Sequence, residues 1–317
     1  MTDALYLERR RQVIGGSDAP AVCGVSPEAT PADVWAEKLG IDGREPDQRE
    51  PTDGNSPMVL GKYIEGSILD WTRDRLGMNL IRGEWLQDPE LEWRAATLDA
   101  RSVVEPVTLV EVKTCGLLGR PSYYEDFGDD GTDQVPLHVL IQLHHQADVV
   151  ARAGIKVAET AHVAALLGGR GFKLYTIPLS AELIDEIRGV EINFWARYVR
   201  LRICPEEGFS REVARRIIRT PGLRQTIDKG VVMRWQAAKL KRQAAQDEVE
   251  HCELALWNAL GLAEIGESEI GEVKVSITNR KGYTVEPASY TQLRFTDTAT
   301  LEKRAERAAR KAARDES

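Results

Sequence analysis

Residues 108–115, with the sequence TLVEVKTC, place an acid and a lysine two positions apart in an otherwise apolar run. Alternate side chains of a strand point to opposite faces, so Leu109, Glu111 and Lys113 share one face, and Val110 and Val112 share the other. Both faces are therefore apolar beside the charges. Strands of this kind are typical of sheets that are covered on both sides. The segment predicts an α/β fold whose central mixed sheet carries Glu111 and Lys113.

The same EVK triplet occurs again at residues 271–278, GEVKVSIT. There the polar and apolar residues alternate strictly, which indicates an amphipathic strand whose charged face meets water. Charges in the first triplet are costly in their apolar setting unless they are paired or bind a metal ion. On this stretch alone, a buried structural pair of Glu111 and Lys113 remains an open alternative.

Asp99 precedes Glu111 by the length of a hairpin, at the end of the apolar stretch ATLDA. The two residues are therefore expected on neighbouring strands with converging carboxylates. Two close carboxylates repel each other unless a divalent cation neutralises them, and oxygen ligands suit magnesium or manganese. Lys113, on the same face, would orient the attacking water and stabilise charge on a phosphate. Leu260 stands at the matching place before the second triplet, so the comparison favours the first.

The remaining pattern predicts helices on both sides of this sheet. Helical spacing and helix-breaking residues indicate helices within 17–40, 61–77, 135–150, 181–201 and 232–260, and strands near 79–86, 91–100 and twice within 156–179. After Pro205 the chain becomes rich in Ala, Lys, Gln and Glu. We therefore predict a core domain at 1–205 and a helical and β extension at 206–317 whose role the sequence leaves open.

Composition narrows the class of protein. With 317 residues and 42% hydrophobic content, the chain can bury a full core. It has no apolar run of membrane-helix length and no signal-peptide pattern, which favours a cytoplasmic protein without a membrane partner. Four scattered cysteines argue against a zinc site, a disulfide framework or an iron–sulfur cluster. A net charge of −8 argues against coating nucleic acid through the overall field, but permits a local basic groove.

The spacing D-x11-E-V-K resembles the PD-(D/E)xK nuclease superfamily. More narrowly, about residues 10 to 200 resemble the YqaJ-type viral recombinase family, to which phage lambda exonuclease is related. The segments that carry the resemblance stand in the family's order: IGGSDAPAVCGVSP, DVWAEKLG, GKYIEGSILDW, VPLHVLIQLHHQADVV, ALLGGRGFKLYTI and INFWARYV. The chain departs from the family at Ala100, where glycine is usual, and at His138, where an aromatic residue is usual. The resemblance implies a restriction-endonuclease-like core.

The resemblance also implies roles for individual residues. Asp99 and Glu111 would bind the metal together with the Val112 backbone carbonyl, and Lys113 would help activate water. Glu65 would bind a second metal ion or its water shell, and Gln142 would position the lysine or the water. Taken by themselves, Glu65 and Gln142 also fit ordinary helix-surface positions. His144, His145 and Gln146 are weaker candidates.

Residues 15–18, GGSD, allow two interpretations. Ser17 and Asp18 are typical helix N-caps, and the same geometry presents backbone N–H groups to an anion. The resemblance implies that Ser17 and Arg10 bind a 5′-phosphate, with Arg9 or Arg11 as substitutes for Arg10. These arginines, with Lys113 and Arg120, would supply local positive potential on an acidic chain.

The activity that the resemblance implies is magnesium-dependent 5′-to-3′ exonuclease digestion of duplex DNA ends, with one or two ions per site. The 3′ single strands left behind would be used by a single-strand-annealing recombinase, and related proteins imply a homotrimer. Two alternatives remain: a non-catalytic DNA-binding recombination scaffold, and a nuclease of the RecB or CRISPR-adaptation type with different polarity. The presence of Asp99, Glu111 and Lys113 together argues against the scaffold.

Overall fold

A computed structural model of the chain describes residues 8–43, 57–117, 126–269 and 271–274. The chain forms two compact units, Met1–Ile218 and Arg219–Ser317. The first unit includes the segment that follows Pro205. Val213 there is buried in the same apolar cluster as Trp35, and the Ser210 N–H donates a hydrogen bond to Asp33 Oδ1 at 2.9 Å. The predicted Arg120 and the tail from residue 301 lie outside the described residues.

The first unit is built on a five-stranded mixed sheet. Its strands are β1 (Leu80–Gln87), β2 (Ala95–Ser102), β3 (Leu109–Cys115), β4 (Thr160–Leu167) and β5 (Gly171–Pro178), and they lie in that order. The β3–β4 pair is parallel, and the other neighbouring pairs are antiparallel. The predicted α/β architecture with a central mixed sheet flanked by helices is confirmed.

The helices of this unit overlap the predicted segments, except for α6, which was not predicted. They are α1 (Ala19–Val22), α2 (Pro31–Lys38), α3 (Pro57–Leu76), α4 (Leu137–Arg152), α5 (Ala181–Phe194) and α6 (Arg211–Arg216). Helix α2 begins with Pro31 in its first turn and a reciprocal cap between Thr30 and Asp33. Helix α5 continues into a π-helical turn, Trp195–Val199. No helix in the described part of the chain is long and apolar enough to cross a membrane.

Helices α3 and α4 cover opposite faces of the sheet. Leu109 packs in the cluster that contains Val139 and Leu143 of α4, whereas Val110 packs in the cluster that contains Ile68 and Leu69 of α3. Neighbouring residues of β3 thus enter two different cores, which confirms the prediction of a strand that is apolar on both faces. The charges of β3 lie in the α4 side of this sandwich.

The second unit contains a long helix and a small hairpin. Helix α7 (Lys229–Leu260) is followed by β6 (Ile265–Ser268) and β7 (Gly271–Lys274), which pair antiparallel. Lys274, in the second EVK triplet, lies 3.5 Å from Glu264, and both side chains are mostly exposed. The predicted solvent exposure of that lysine is confirmed.

Candidate active site

Strand β3 presents Glu111 and Lys113 as an ion pair on the sheet face covered by α4. Lys113 Nζ lies 2.6 Å from Glu111 Oε1. Glu111 is only 2% exposed, while the Lys113 side chain is 21% exposed. A buried carboxylate is stable only when its oxygens are bonded. The pair therefore joins a buried anchor to an ammonium group that still reaches solvent.

Two amides of α4 complete the hydrogen bonding of Glu111. Gln142 Nε2 donates to Glu111 Oε1 at 2.5 Å, and its Oε1 accepts from Lys113 Nζ at 2.9 Å. Gln146 Nε2 donates to Glu111 Oε2 at 2.7 Å. Residues four apart on a helix share a face, so Gln142 and Gln146 approach β3 together. From the sequence, Gln146 was among the weaker candidates; its four-residue spacing from Gln142 indicates a shared helix face but not the contact with Glu111.

Asp99 lies on β2, and its charge interacts with that of Glu111 on β3. The next residue, Ala100, pairs with Val110, and Asp99 Oδ2 accepts a hydrogen bond from the Val112 N–H at 2.7 Å. The predicted arrangement of two acids on neighbouring strands is thus present. The bond to the main chain of β3 holds the Asp99 carboxyl beside this strand.

The regular alternation of side chains between the two faces of β2 is interrupted at Asp99. Leu98 and Ala100 would share a face in a regular strand, but Leu98 belongs to the α4-side cluster and Ala100 to the α3-side cluster. In the β1–β2 register the residue opposite Asp99 is Gly83, which has φ 68°. A side chain other than glycine is strained at that φ. The distortion places Asp99 between the two faces of the sheet.

Two acids at the site, Asp99 and Glu65, have a raised pKa because of burial and of repulsion by Glu111. Burial, and then repulsion by Glu111, raise the pKa of Asp99 well above its ordinary value, against the attraction of Lys113 and the bond from Val112. Glu65 on α3 contributes further repulsion to Asp99. Burial and the charge of Glu111 also raise the pKa of Glu65, against the attraction of Arg82 and Lys62. Glu65 is therefore within electrostatic reach of the β2–β3 acids.

The described acidic side chains do not form a cluster of three carboxylates. Among the residues that the structure describes, no group of three His, Cys, Asp or Glu side chains stands at metal-binding spacing. Asp99 and Glu111 are two converging donors, and the Val112 carbonyl belongs to the same strand as Glu111. A third ligand would be this main-chain oxygen, or Glu65 after a movement of its side chain.

A small cavity of about 80 Å³ opens next to these residues. It is lined by the N-terminal loop (Arg10, Val13, Gly15, Gly16, Ser17), by β1 and β2 (Trp85, Ala95, Thr97), and by α4 (Gln142, Gln146). Gln142 and Gln146 thus line the cavity and also bind Glu111. The cavity therefore lies between the predicted pair of Arg10 and Ser17 and the two amides that bind Glu111.

The N-terminal loop is held in this position by main-chain contacts. Ile14 forms a parallel bridge with Arg94, through hydrogen bonds to the main chain of Trp93 and Ala95 at the start of β2. At Gly16, a Cβ would lie 3.2 Å from Gln146 Cγ, so the loop approaches α4 closely. Across the strands, Trp85 pairs with Thr97 on the cavity side. Neither Trp85 nor Thr97 was singled out from the sequence, because the contact depends on register.

Arg10, Ser17 and Asp18 form one hydrogen-bonded group. Arg10 Nη2 donates to Ser17 Oγ and to Asp18 Oδ1, both at 3.2 Å. Asp18 stands at the N-cap of α1, but its carboxylate makes no capping bond. It instead accepts from the Gly15 N–H at 3.0 Å and from the buried Lys38 ammonium at 2.7 Å. The interpretation of the Asp18 side chain as a helix cap is therefore replaced by a role in shaping the loop.

Asp18→Asn should destabilise the chain in a pH-dependent way. Burial opposes ionisation of Asp18, but Lys38, then Arg10, outweigh it and lower its pKa from 3.8 to about 2. A lowered pKa contributes stability that is present above pH 3.8 and is lost as the pH falls towards 2; this shift corresponds to about 2 kcal/mol at neutral pH. Asp18→Asn should cost about 3 kcal/mol at neutral pH, since it leaves buried Lys38 without its carboxylate. Urea denaturation should show this difference shrinking from pH 3.8 towards pH 2. A constant difference would contradict the ion pair's role.

Other candidates of the sequence lie elsewhere. His145 is fully buried, with Nδ1 2.6 Å from Glu191 Oε1 and Nε2 3.0 Å from the Ala95 carbonyl. Glu191 in turn binds the buried guanidinium of Arg94 at 2.7 Å, in a network that links β2, α4 and α5. His144 Nδ1 faces the Leu140 carbonyl of its own helix at 2.8 Å. The two histidines are therefore structural, as their low rank in the sequence interpretation indicated.

The two substitutes for Arg10 have other contacts. The Arg9 guanidinium lies 4.3 Å from the centre of the Trp85 ring, beside the cavity. Arg11 lies 3.5 Å from Asp42. Of the three arginines, Arg10 is the one that lines the cavity.

Comparison with known proteins places these residues in context. The chain is similar to LHK-Exo, an alkaline exonuclease from Laribacter hongkongensis (14% identity, 63% of this chain and 93% of that chain, TM-score 0.44). It is also similar to a phage-related exonuclease from Haemophilus somnus 129PT (12% identity, 60% of this chain and 95% of that chain, TM-score 0.40). The protein YqaJ of Bacillus subtilis (strain 168) is 28% identical over 191 residues, which are 60% of this chain and 54% of that protein. The chain thus spans about half the length of the curated relative it matches.

The family model extends over the elements that hold the site. It describes a YqaJ-like viral recombinase domain and matches residues 5–156. This range contains Arg10, Ser17 and Glu65, and also the acids of β2 and β3 and the amides of α4. Residues 5–156 of the chain are thus similar to the YqaJ-like viral recombinase domain.

Proposed function

We propose that the chain is a metal-dependent DNA exonuclease that acts on duplex ends. The observation that carries this proposal is the convergence of Asp99, Glu111, Lys113 and Gln142 beside β3, the middle strand of the sheet. A cavity lined by Arg10 and Ser17 lies next to them. A structural ion pair alone would require neither the second carboxylate nor the adjacent cavity. Two of the similar solved structures are named as exonucleases, which agrees with the proposal.

A divalent ion fits the chemistry of the donor set. Asp99 and Glu111 offer hard carboxylate oxygens, and burial, together with the repulsion by Glu111, raises the pKa of Asp99 in the protein without an ion. Magnesium or manganese, one or two ions, would be held by Asp99, Glu111 and the Val112 carbonyl, with Glu65 binding a second ion or its water shell. The ion would neutralise the acids and polarise the phosphate.

Lys113, Gln142 and Gln146 would have different roles in the hydrolysis. Hydrolysis adds a water oxygen to phosphorus and breaks the bond to the leaving 3′-oxygen. Lys113 is positioned by Glu111 at 2.6 Å and Gln142 at 2.9 Å, where its ammonium orients water and offsets charge that develops on the phosphate. Gln146 and Gln142 hold Glu111 in place. These contacts fix the side chains before substrate arrives, which lowers the cost of organising them.

The cavity would receive the 5′-phosphate of the end. Arg10 and Ser17 lie on its N-terminal side, and Gln142 and Gln146 connect it to Glu111. A phosphate held there would place a downstream phosphodiester near Lys113. This supports digestion that starts from a 5′ end and proceeds towards the 3′ end.

Arg10→Ala should remove the preference for phosphorylated ends. Loss of a charge-assisted hydrogen bond of about 1.5 to 3 kcal/mol corresponds to roughly ten- to a hundredfold in the relative rate. The measurement compares the digestion of one duplex with 5′-phosphate and with 5′-hydroxyl ends. Arg11→Ala is the matched control, because Arg11 pairs with Asp42 and does not line the cavity. If the phosphate preference survives in Arg10→Ala but not in Arg11→Ala, the phosphate site has been assigned to the wrong arginine.

The activity itself is tested on linear duplex DNA that is labelled at either the 5′ or the 3′ terminus. Release of 5′-labelled nucleotide first, in the presence of magnesium and not of a chelator, is the expected result. First release of the 3′ label would favour a RecB-type or CRISPR-adaptation-type polarity. Binding of ends without any digestion by the unmodified chain would favour the non-catalytic scaffold.

The recombination role is the outermost part of the proposal. Digestion from the 5′ end leaves 3′ single strands, which are the substrate of a single-strand-annealing recombinase. We propose that such a recombinase is the partner, and that the first unit assembles as the homotrimer that its resemblance to lambda exonuclease implies. Co-sedimentation of the chain with an annealing protein and light-scattering mass of the first unit test these two points.

A further inference from the structure

Helix α7 is unusually exposed for its length. It spans 32 residues, Lys229–Leu260, and has no buried residue. Large apolar side chains on it are open to solvent, including Val249 at 49% and Leu256 at 47%. In soluble proteins most helical stability comes from packing of an apolar face. The helix therefore carries a face that is suited to a partner.

The apolar face follows a coiled-coil spacing. Intervals of three and four residues alternate along one row: Trp235, Ala238, Arg242, Ala245, Val249, Cys252, Leu256 and Ala259. This is the a and d pattern of a two-stranded coiled coil, interrupted by one charged residue, Arg242. A second row on the opposite side, Met233, Leu240 and Leu254, is broken by Asp247. The first row is the longer seam.

Charge is divided between the two halves of the helix. The N-terminal half carries the basic residues Lys229, Arg234, Lys239, Lys241 and Arg242, and the C-terminal half the acidic residues Asp247, Glu248, Glu250 and Glu253. Within the described ranges, Lys239, Lys241, Glu248 and Glu253 form no ion pair with one another or with other residues. A helix with this distribution is complementary to a copy of itself that runs in the opposite direction.

We propose that α7 pairs with α7 of a second copy of this chain as an antiparallel coiled coil. In an antiparallel pair, a positions of one helix face d positions of the other. The register that centres on Ala245 and Val249 places Trp235 against Ala259 and Leu256 against Ala238. Each of these layers sets a large side chain against a small one, so the two helices fill space without overpacking. Arg242 faces Cys252 in the remaining layer.

The flanking positions agree with this register. Lys239 of one copy stands opposite Glu253 of the other, so that symmetry yields two attractive pairs. A parallel pair would instead place Arg234 beside Lys239 and Glu248 beside Glu253. Residues that flank a coiled-coil seam set partner orientation through such charges. The antiparallel arrangement is therefore the one that the charges favour.

Two charge-reversed full-length variants test the pairing. Lys239→Glu with Lys241→Glu, and separately Glu248→Lys with Glu253→Lys, turn both contacts repulsive when a variant meets itself. Each variant alone should self-associate on the order of tenfold more weakly than the unmodified chain. An equimolar mixture restores every contact, so it should recover the association of the unmodified chain. Sedimentation equilibrium measures both, as a doubling of mass whatever the assembly of the first unit.

The control is Asp247→Lys with Glu250→Lys, which makes the same charge change on the outer side of the helix. It should associate like the unmodified chain. An unmodified chain that shows no doubling of mass, or variants that never recover on mixing, would overturn the proposal and leave α7 to another partner. Equal weakening by the control would also overturn it, since net charge alone would then explain the effect. None of these outcomes depends on nuclease activity.

Discussion

Lys113→Ala should reduce the digestion of duplex ends by about 10²- to 10³-fold, the range that the loss of one preorganised charge-stabilising donor costs. The ammonium is held by Glu111 Oε1 and Gln142 Oε1, and its charge stands beside Asp99. Without it, water and phosphate lose the cation that orients them. Glu111 keeps its bonds from Gln142 and Gln146, so the fold should survive the substitution.

Lys274→Ala is the matched control for this experiment. It removes the same side chain from the second EVK triplet, where Lys274 is exposed and lies near Glu264. Initial rates of end digestion and urea midpoints are measured for both variants. Lys274→Ala should leave both quantities unchanged. If Lys113→Ala digests DNA at the unmodified rate, the catalytic site has been assigned to the wrong residues.

Asp99→Asn should abolish digestion and at the same time stabilise the metal-free chain. The raised pKa of Asp99, caused by burial and then by Glu111, means that the fold holds its ionised form less well than the unfolded chain does. At neutral pH the charge therefore opposes folding, and this cost decreases as the pH falls through the raised pKa. Asparagine removes the charge and keeps an oxygen that can accept the Val112 N–H. Activity should fall at least about a hundredfold, because the proposed metal ligand is lost.

Urea denaturation in chelator and in magnesium separates the two effects of Asp99→Asn. The variant should have the higher midpoint in chelator, and magnesium should raise the midpoint of the unmodified chain alone, since an ion that binds only the folded state stabilises it. Asp70→Asn serves as a control, because Asp70 is exposed on α3 and pairs with Arg73 and Arg82. A variant that is destabilised in chelator would show that Asp99 acts as a structural acid.

Prediction from the sequence succeeded where local pattern carries the information. The alternation of Leu109 and Val110 between two cores follows from the two-residue period of a strand. Asp99 was found because hairpin length limits which residues can face each other. Of the two interpretations of residues 15–18, the cap role of the Asp18 side chain was wrong, because Lys38 competes for that carboxylate from a different helix.

The sequence by itself determined the alternating faces of β3, the acid that stands beside Glu111 and the helices that flank the sheet, because each depends on short-range spacing along one chain segment. Only the tertiary structure decided that Gln146 binds Glu111, that Trp85 and Thr97 line the cavity, and that His145 belongs to the Arg94 network. These contacts join residues far apart in the chain. They depend on strand register and on the packing of α4 across the sheet, which no local pattern encodes.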